Sequence, residues 1–164
     1  MLSINPDCQV FTYPIFFTPE TAEELDFTKF DYVIDAIDTV TGKLCLIQKA
    51  ADAGVAVISC MGTGNRLDAS ALRVMDISKT SNCGLARVMR KELRKRGIEH
   101  LKVVYSKEEP LTPLTPPEEE VPETATETRP ASSARRATPG SISFVPAAAG
   151  LVLAGAVIRD IGAF

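Results

Sequence analysis

Two short segments, "YVIDA" (Tyr32–Ala36) and "VAVIS" (Val55–Ser59), are apolar almost throughout and flank a stretch with helical periodicity, which leaves few folds open. From Gly42 to Ala53, Leu44, Ile47 and Ala51 recur at helical spacing, Lys43, Gln48, Lys49 and Asp52 fall between them, and Gly54 supplies a stop. Strand, helix and strand with short joints form a βαβ unit. Its strands are parallel because the helix carries the chain back to the starting edge. Parallel sheets are covered by helices on both faces, which explains strands that are apolar rather than alternating.

The remaining segments extend this unit. "CQVFTYPIFFT" reads as a strand whose Pro14 argues for an edge or a bulge. "ALRVMDIS" and "LKVVYS" read as further strands, with a helix from about Cys83 to Arg96 between them, capped by Ser81 or Asn82 and closed by Gly97. "SISFVP" is expected to be a strand, followed by a small-residue helix from Ala147 to Ile161. From Glu108 to Gly140 the composition turns to Pro, Glu, Thr, Ser and Ala, which cannot bury enough surface to offset ordering entropy. The expected organisation is therefore a partial α/β domain over 1–107, a disordered insertion over 108–140, and a strand and helix over 141–164 that complete the domain. The fold class is doubly wound and Rossmann-like, with a mostly parallel sheet.

At 164 residues the chain has the size of one domain, and a net charge of −3 says little about partners. The four cysteines, Cys8, Cys45, Cys60 and Cys83, contain no C-x-x-C pair, so neither a zinc ribbon nor a disulfide scaffold is indicated. A reducing, cytoplasmic setting is the simpler expectation, since "MLSINPDCQV" also lacks the pattern of a secretory signal. The most apolar stretch, Val145 to Ile158, falls short of the roughly 20 residues that span a bilayer and is read as a buried helix.

Asp35 and Asp38 stand where the first βαβ strand ends. In open parallel sheets ligands bind beyond the carboxyl ends of the strands. Carboxylates there can hold Mg²⁺ beside a triphosphate, because Mg²⁺ takes one or two carboxylates together with phosphate oxygens. The alternative is local: Asp38 caps the helix and Asp35 makes a turn hydrogen bond. "MGTGN" after the second βαβ strand either lets backbone amides approach an anion or is a tight turn that needs positive φ. On the helix at 83–96, Leu85, Met89 and Leu93 form one stripe while Arg87, Arg90, Lys91 and Arg94 gather opposite. That face either tracks nucleic-acid phosphates or is simply solvated, with cations near the helix C-terminus. Cys83 reads as structural, and His100 as a surface residue.

"INPDCQV", "YVIDAIDTVTGK", "GVAVISCMGTGNRLD", "DISKTSNCGLARVMRKELRKRGI", "KVVYS" and "GSISFVPAAAGLVLAGAVIRD" together resemble the tRNA threonylcarbamoyladenosine dehydratases. These belong to the ubiquitin-activating-enzyme-like superfamily, with the molybdopterin and thiamine adenylyltransferases. The resemblance implies that ATP adenylates the carboxylate of a threonylcarbamoyl group on a tRNA adenosine, after which internal attack closes a ring with net loss of water. It implies ATP and Mg²⁺ as cofactors and a homodimer, with a sulfur-carrier protein or a cysteine desulfurase as a further partner. Asp38 matches the carboxylate that orients Mg²⁺ and the phosphates; Thr39 takes the neighbouring nucleotide-contacting position, where adenylyltransferase relatives have Asn. Asp35 and Lys43 are the further nucleotide-facing candidates, and Arg87, Arg90, Lys91 and Arg94 the tRNA-facing ones.

One departure is larger than any side chain. Family members carry a glycine-rich strand-to-helix turn upstream of the "INP" segment, and no G-x-G-x-x-G occurs in these 164 residues. The resemblance therefore covers a C-terminal portion, without the glycine-rich nucleotide-binding half, and ATP turnover by this polypeptide alone is not expected. A fragment, a split subunit and an inactive relative are the three explanations. Two other functions stay open: an adenylyltransferase that activates a ubiquitin-like or sulfur-carrier protein, and a non-catalytic interaction module.

Overall fold

The computed structural model describes residues 2–113 and 139–162. Strand β1 (Tyr32–Asp35), helix α1 (Val40–Asp52) and strand β2 (Ala56–Cys60) form the expected unit, with β1 and β2 parallel and Asp35 opposite Ser59. Helix α1 starts two residues earlier than its periodicity suggests, because Thr39 caps it: its Oγ1 accepts from the Gly42 N–H at 3.3 Å. Strand β3 (Leu72–Asp76), helix α2 (Gly84–Arg94) and strand β4 (Lys102–Ser106) follow, and the sheet order is β1-β2-β4-β3. β4 runs parallel to β2, whereas β3 joins the far edge antiparallel. The sheet is thus mostly parallel, as the apolar strands require. Gly54 (φ 69°) and Gly97 (φ 76°) end α1 and α2 in the left-handed conformation open to a residue without Cβ.

Helices α1 and α2 cover one face of the sheet, with Ile47, Met89, Leu93, Val103 and Tyr105 at the centre of that layer. Helix α3 (Phe144–Gly162) covers the other face, packing Ala149, Leu153, Ala156 and Val157 onto Ile58, Leu72 and Val104. Coverage of β1 is incomplete: Ile34 is 46% exposed, because α3 lies over β2, β3 and β4.

Several expectations are corrected. Residues 8–18 form no strand; Pro14 removes a donor, and the backbone bonds near it are local, such as the Ile15 N–H to Tyr13 O at 2.8 Å. Phe11, Tyr13 and Phe16 of that segment stand exposed. "SISFVP" is no strand either. Its Phe144 opens α3, and Pro146 sits in the first turn, where its missing N–H leaves no intrahelical bond unmade. Neither Ser81 nor Asn82 caps α2; the Sγ of Cys83 accepts from the Ala86 N–H at 3.4 Å. Asn82 instead takes φ 51° and donates to Lys107 O at 3.1 Å. Helix α3 is not wholly buried. It is 19 residues, long and apolar enough by length and composition to cross a membrane, yet one face packs on the sheet and the other is exposed.

Most of the expected 108–140 insertion, residues 114–138, lies outside the described residues. The described chain on its two sides converges on Asn65. The Leu111 N–H donates to Asn65 O (2.8 Å), the Asn65 N–H to Gly140 O (2.8 Å), and the Gly140 N–H to Asn65 Oδ1 (2.6 Å). The Glu108 carboxylate accepts from the backbone of Leu67 and Asp68, and the buried Arg66 guanidinium donates to Glu108 O and Asn82 O. Helix α3 is thereby delivered to the sheet from a fixed point.

Its far end is clipped as well. Asp160 accepts from Tyr32 Oη of β1 and from Lys102 Nζ of β4, each at 2.7 Å. Lys102 and Tyr32 hold the Asp160 carboxyl below the usual carboxylate range, while burial and that same carboxylate push the Tyr32 phenol well above its own. A depressed acid contributes stability above its unfolded pKa, about 4 for Asp, and loses it as pH falls through the folded value. Asp160→Asn should therefore cost less than about 1 kcal/mol at neutral pH, the range for a partly exposed pair. Urea unfolding of both forms checks this: the difference narrows as pH falls below about 4, and a gap independent of pH excludes the ion pair as its source.

Candidate functional site

The chain turns sharply after β1, and the side chains at that turn take distinct roles. Asp35 is fully buried. Its Oδ1 accepts from the Ile37 N–H at 3.1 Å, and its Oδ2 accepts from the Ser59 hydroxyl and from Lys43 Nζ, the latter at 3.1 Å. Lys43, one turn into α1, is only 2% exposed and also donates to Cys60 O at 2.8 Å. A solvated lysine is thus excluded. It is a buried ammonium with one of its three N–H donors left over from these two bonds.

Asp38 differs from its neighbours. It is exposed, and among the described residues its carboxylate has no hydrogen-bond or ion-pair partner, since the capping role falls to Thr39 and the turn bond to Asp35. It lines a cleft of about 300 Å³ at the carboxyl ends of β1 and β2. Lys43, Cys60, Gly62 and Thr63 form one part of that cleft, and Leu85 of α2 with Pro146, Gly150 and Leu153 of α3 form an apolar wall. The wall was invisible to sequence reasoning, because those residues come from segments far apart in the chain and carry no motif. Burial pushes the Cys60 thiol above its ordinary range, against the opposing pull of Lys43, so it stays protonated at neutral pH. A larger concavity, about 500 Å³, lies at the start of α2 among Asn82, Cys83, Arg87, Arg90 and Glu109, and its lining includes neither Asp35 nor Asp38.

"MGTGN" forms a turn at its end, and its glycines do not supply the positive φ. Positive φ falls on Asn65 (59°) and not on Gly62 or Gly64. A Cβ on Gly64 would come within 2.9 Å of Pro139 Cβ, so that glycine admits the chain leading into α3. Only Gly62 and Thr63 of the motif's central residues, with Met61 before them, line the cleft.

The basic residues of α2 also divide. Arg90 is half-buried and donates through Nη1 to Ile77 O (3.1 Å), Thr80 O (3.0 Å) and Thr80 Oγ1, pinning the turn between β3 and α2. Arg87, Lys91 and Arg94 remain exposed and make no ion pair among the described residues. Glu92 is engaged with Lys95 at 2.7 Å and Arg96 at 3.6 Å.

No group of three or more His, Cys, Asp or Glu able to hold a metal occurs among the described residues. Asp35 has its oxygens occupied, which leaves Asp38. One free carboxylate at a cleft suits Mg²⁺ only where the bound ligand supplies most of the remaining oxygens, as a triphosphate does.

Removing one member of a buried ion pair strands the other charge, at a cost of about 3–5 kcal/mol. Lys43→Met and Asp35→Asn should each destabilise by that order, and the double substitution by less than the sum. Urea denaturation measures all three; a loss below about 1 kcal/mol for Lys43→Met would mean that water reaches the pair.

Comparison with known proteins adds the following. Over 159 residues the chain is 36% identical to the tRNA threonylcarbamoyladenosine dehydratase of Bacillus subtilis (strain 168), a match covering 96% of this chain and 61% of that protein. It is 33% identical over 91 residues to the enzyme of the same name from Escherichia coli (strain K12), covering 56% and 34%. The crystal structure of the E. coli tRNA N6-threonylcarbamoyladenosine dehydratase in complex with ATP superposes with a TM-score of 0.75 at 24% identity, covering 99% of this chain and 60% of that one; this shows a shared fold. The chain thus spans about 61% of the Bacillus relative's length. The family model described as the ThiF family matches residues 1–163, and the chain belongs to that family.

Proposed function

We propose that this chain supplies the metal- and phosphate-facing rim of an ATP-dependent dehydratase that cyclises N6-threonylcarbamoyladenosine in tRNA, acting as a homodimer in the cytoplasm. The observation that carries the reading is Asp38, an exposed carboxylate without a partner among the described residues, set beside the buried Lys43 at the cleft where β1 and β2 end. The dehydratase relatives, and the ATP bound in one of them, support it.

The geometry supports the following division of labour. Asp38 would hold the cation, and Mg²⁺, when bound, would offset the negative charge of the phosphates. Lys43 is fixed by Asp35 Oδ2 and Cys60 O, so its remaining N–H needs little reorganisation to meet an anion. Leu85, Pro146 and Leu153 exclude water from one side of the cleft, which strengthens these charge interactions. The attacking group belongs to the substrate, so a thiol held protonated at Cys60 is no obstacle. Arg87, Lys91 and Arg94 face solvent at helical spacing and are suited to tRNA phosphates. Thr39 serves the site indirectly, by starting α1 so that Lys43 reaches Asp35.

In the intact protein, Asp38→Ala should lower tRNA-dependent pyrophosphate release at least about 100-fold. Thermal stability should not change, since Asp38 makes no intramolecular bond among the described residues. Release at the normal rate would remove Asp38 from the metal site. For the helix, Ala at Arg87, Lys91 and Arg94 should weaken tRNA binding and lower its salt slope by roughly one for each phosphate that is no longer neutralised. Arg90→Ala should leave the slope and reduce stability instead. An unchanged slope in the triple variant would take α2 out of the tRNA footprint.

A further inference from the structure

A further cavity, of about 330 Å³, adjoins the Asp38 cleft along the loop that follows β2. Gly62 and Thr63 of that loop line the cleft, and Asn65 and Arg66 line the cavity. Thr63 and Asn65 are two residues apart, so the chain between them spans no more than about 7 Å. Leu67, Leu111, Pro113 and Ile142 supply apolar walls, and no acidic side chain lines the cavity among the described residues.

Arg66 gives this cavity its chemistry. It is only 4% exposed and makes no ion pair among the described residues. Its Nη1 donates to Glu108 O and its Nη2 to Asn82 O, the latter at 2.8 Å, which fixes the guanidinium plane. The remaining donor, Nε, is buried without a partner. Tyr105 Oη is also unpartnered, but it lies in the apolar layer under α1 and α2, whereas Arg66 stands at a cavity wall. A buried guanidinium N–H without an acceptor is costly, so the arrangement suits a ligand that brings one. Asn65 adds a second donor: its Oδ1 accepts from the Gly140 N–H, which leaves Nδ2 without a partner among the described residues.

We propose that this cavity receives the adenine base of the tRNA nucleotide whose threonylcarbamoyl group is activated at the Asp38 cleft, with Arg66 Nε and Asn65 Nδ2 donating to acceptors on the base edge. The proposal rests on the dehydratase reading above. Enzymes that work on a nucleobase take it out of the stack into a pocket with apolar walls and hydrogen-bonding groups for its edge, which is the composition found here. Adenine offers ring-nitrogen acceptors and carries no charge, so it suits two donors set among apolar side chains. A phosphate there would leave most of its oxygens unmet. The threonylcarbamoyl arm leaves from the exocyclic nitrogen, and the short loop span lets its carboxylate enter the neighbouring cleft.

Nuclear magnetic resonance of the nitrogen-labelled 164-residue chain tests this through the Arg66 Nε–H signal. Free N6-threonylcarbamoyladenosine at millimolar concentration should shift that signal, and ATP at the same concentration should not. Arg66→Lys would also remove the anchors at Glu108 and Asn82, so the half-exposed wall residue Leu111 carries the mutational arm. Leu111→Glu should weaken nucleoside binding at least about 10-fold, while Phe11→Glu, at an exposed apolar site outside the cavity lining, should leave it unchanged. An unmoved Arg66 signal, or binding that survives Leu111→Glu, overturns the proposal. An equal response to ATP would assign the cavity to the base of ATP and overturns it too. The underlying reading fails separately. If the nucleoside does not bind but Asp38→Ala still stops pyrophosphate release in the intact protein, only the cavity assignment falls. If release survives Asp38→Ala while the nucleoside shifts Arg66, the metal assignment falls and the base site is supported.

Discussion

The buried pair of Lys43 and Asp35 sets the geometry of the sheet's rim. Burying two charges is costly, and the pair survives because its polar valences are met: Ile37 N–H on one Asp35 oxygen, Ser59 and Lys43 on the other, and Cys60 O on the ammonium. Those contacts join the end of β1, the end of β2 and the first turn of α1. Thr39 must start the helix where it does for Lys43 to reach inward, and Asp35 must stay inside to receive it. Asp38, three residues further on, is left at the opening. The exposed carboxylate at the cleft, without a partner among the described residues, is thus a consequence of the occupied one beneath it.

Helix α3 depends on a second constraint. Asn65 gathers the chain before residue 114 and after residue 138, so the helix meets the sheet from a fixed origin, and Asp160 anchors its far end to β1 and β4. Between those anchors the helix is apolar on both faces. The inner face closes the core over β2, β3 and β4 and walls the cleft with Leu153, while Leu151, Ile158 and Ile161 on the outer face are exposed. One segment therefore serves both the core and the cleft.

Much of the architecture was legible from local pattern. Apolar strands around a helix-period segment implied the parallel β1–α1–β2 unit, and Gly54 and Gly97 marked the helix ends because left-handed backbone geometry is a local property. The failures have a common cause. "CQVFTYPIFFT" has strand composition, but a strand needs a partner, and none of the described strands pairs with it. "SISFVP" has strand composition too, yet Phe144 and Pro146 serve as the start of a helix because the following apolar residues find a sheet face to cover. The site was legible in part. Asp38 at a strand end, and its distinction from Asp35, could be posed from the sequence as a question. The answer required the burial of Asp35 and the capping of α1 by Thr39.

The sequence by itself determined the fold class, the residues that end its helices, and the placing of acidic side chains where a strand gives way to a helix, because each follows from φ/ψ preferences and periodicity over a few residues. Tertiary structure alone decided which of two carboxylates is consumed by a lysine and which is exposed at the cleft. It also decided that Arg90 holds a turn while Arg87, Lys91 and Arg94 stay exposed, and that an apolar helix has one covered face and one open. Those outcomes depend on packing between segments tens of residues apart, and burial, which sets the energy of every charge and apolar group, exists only once those segments have come together.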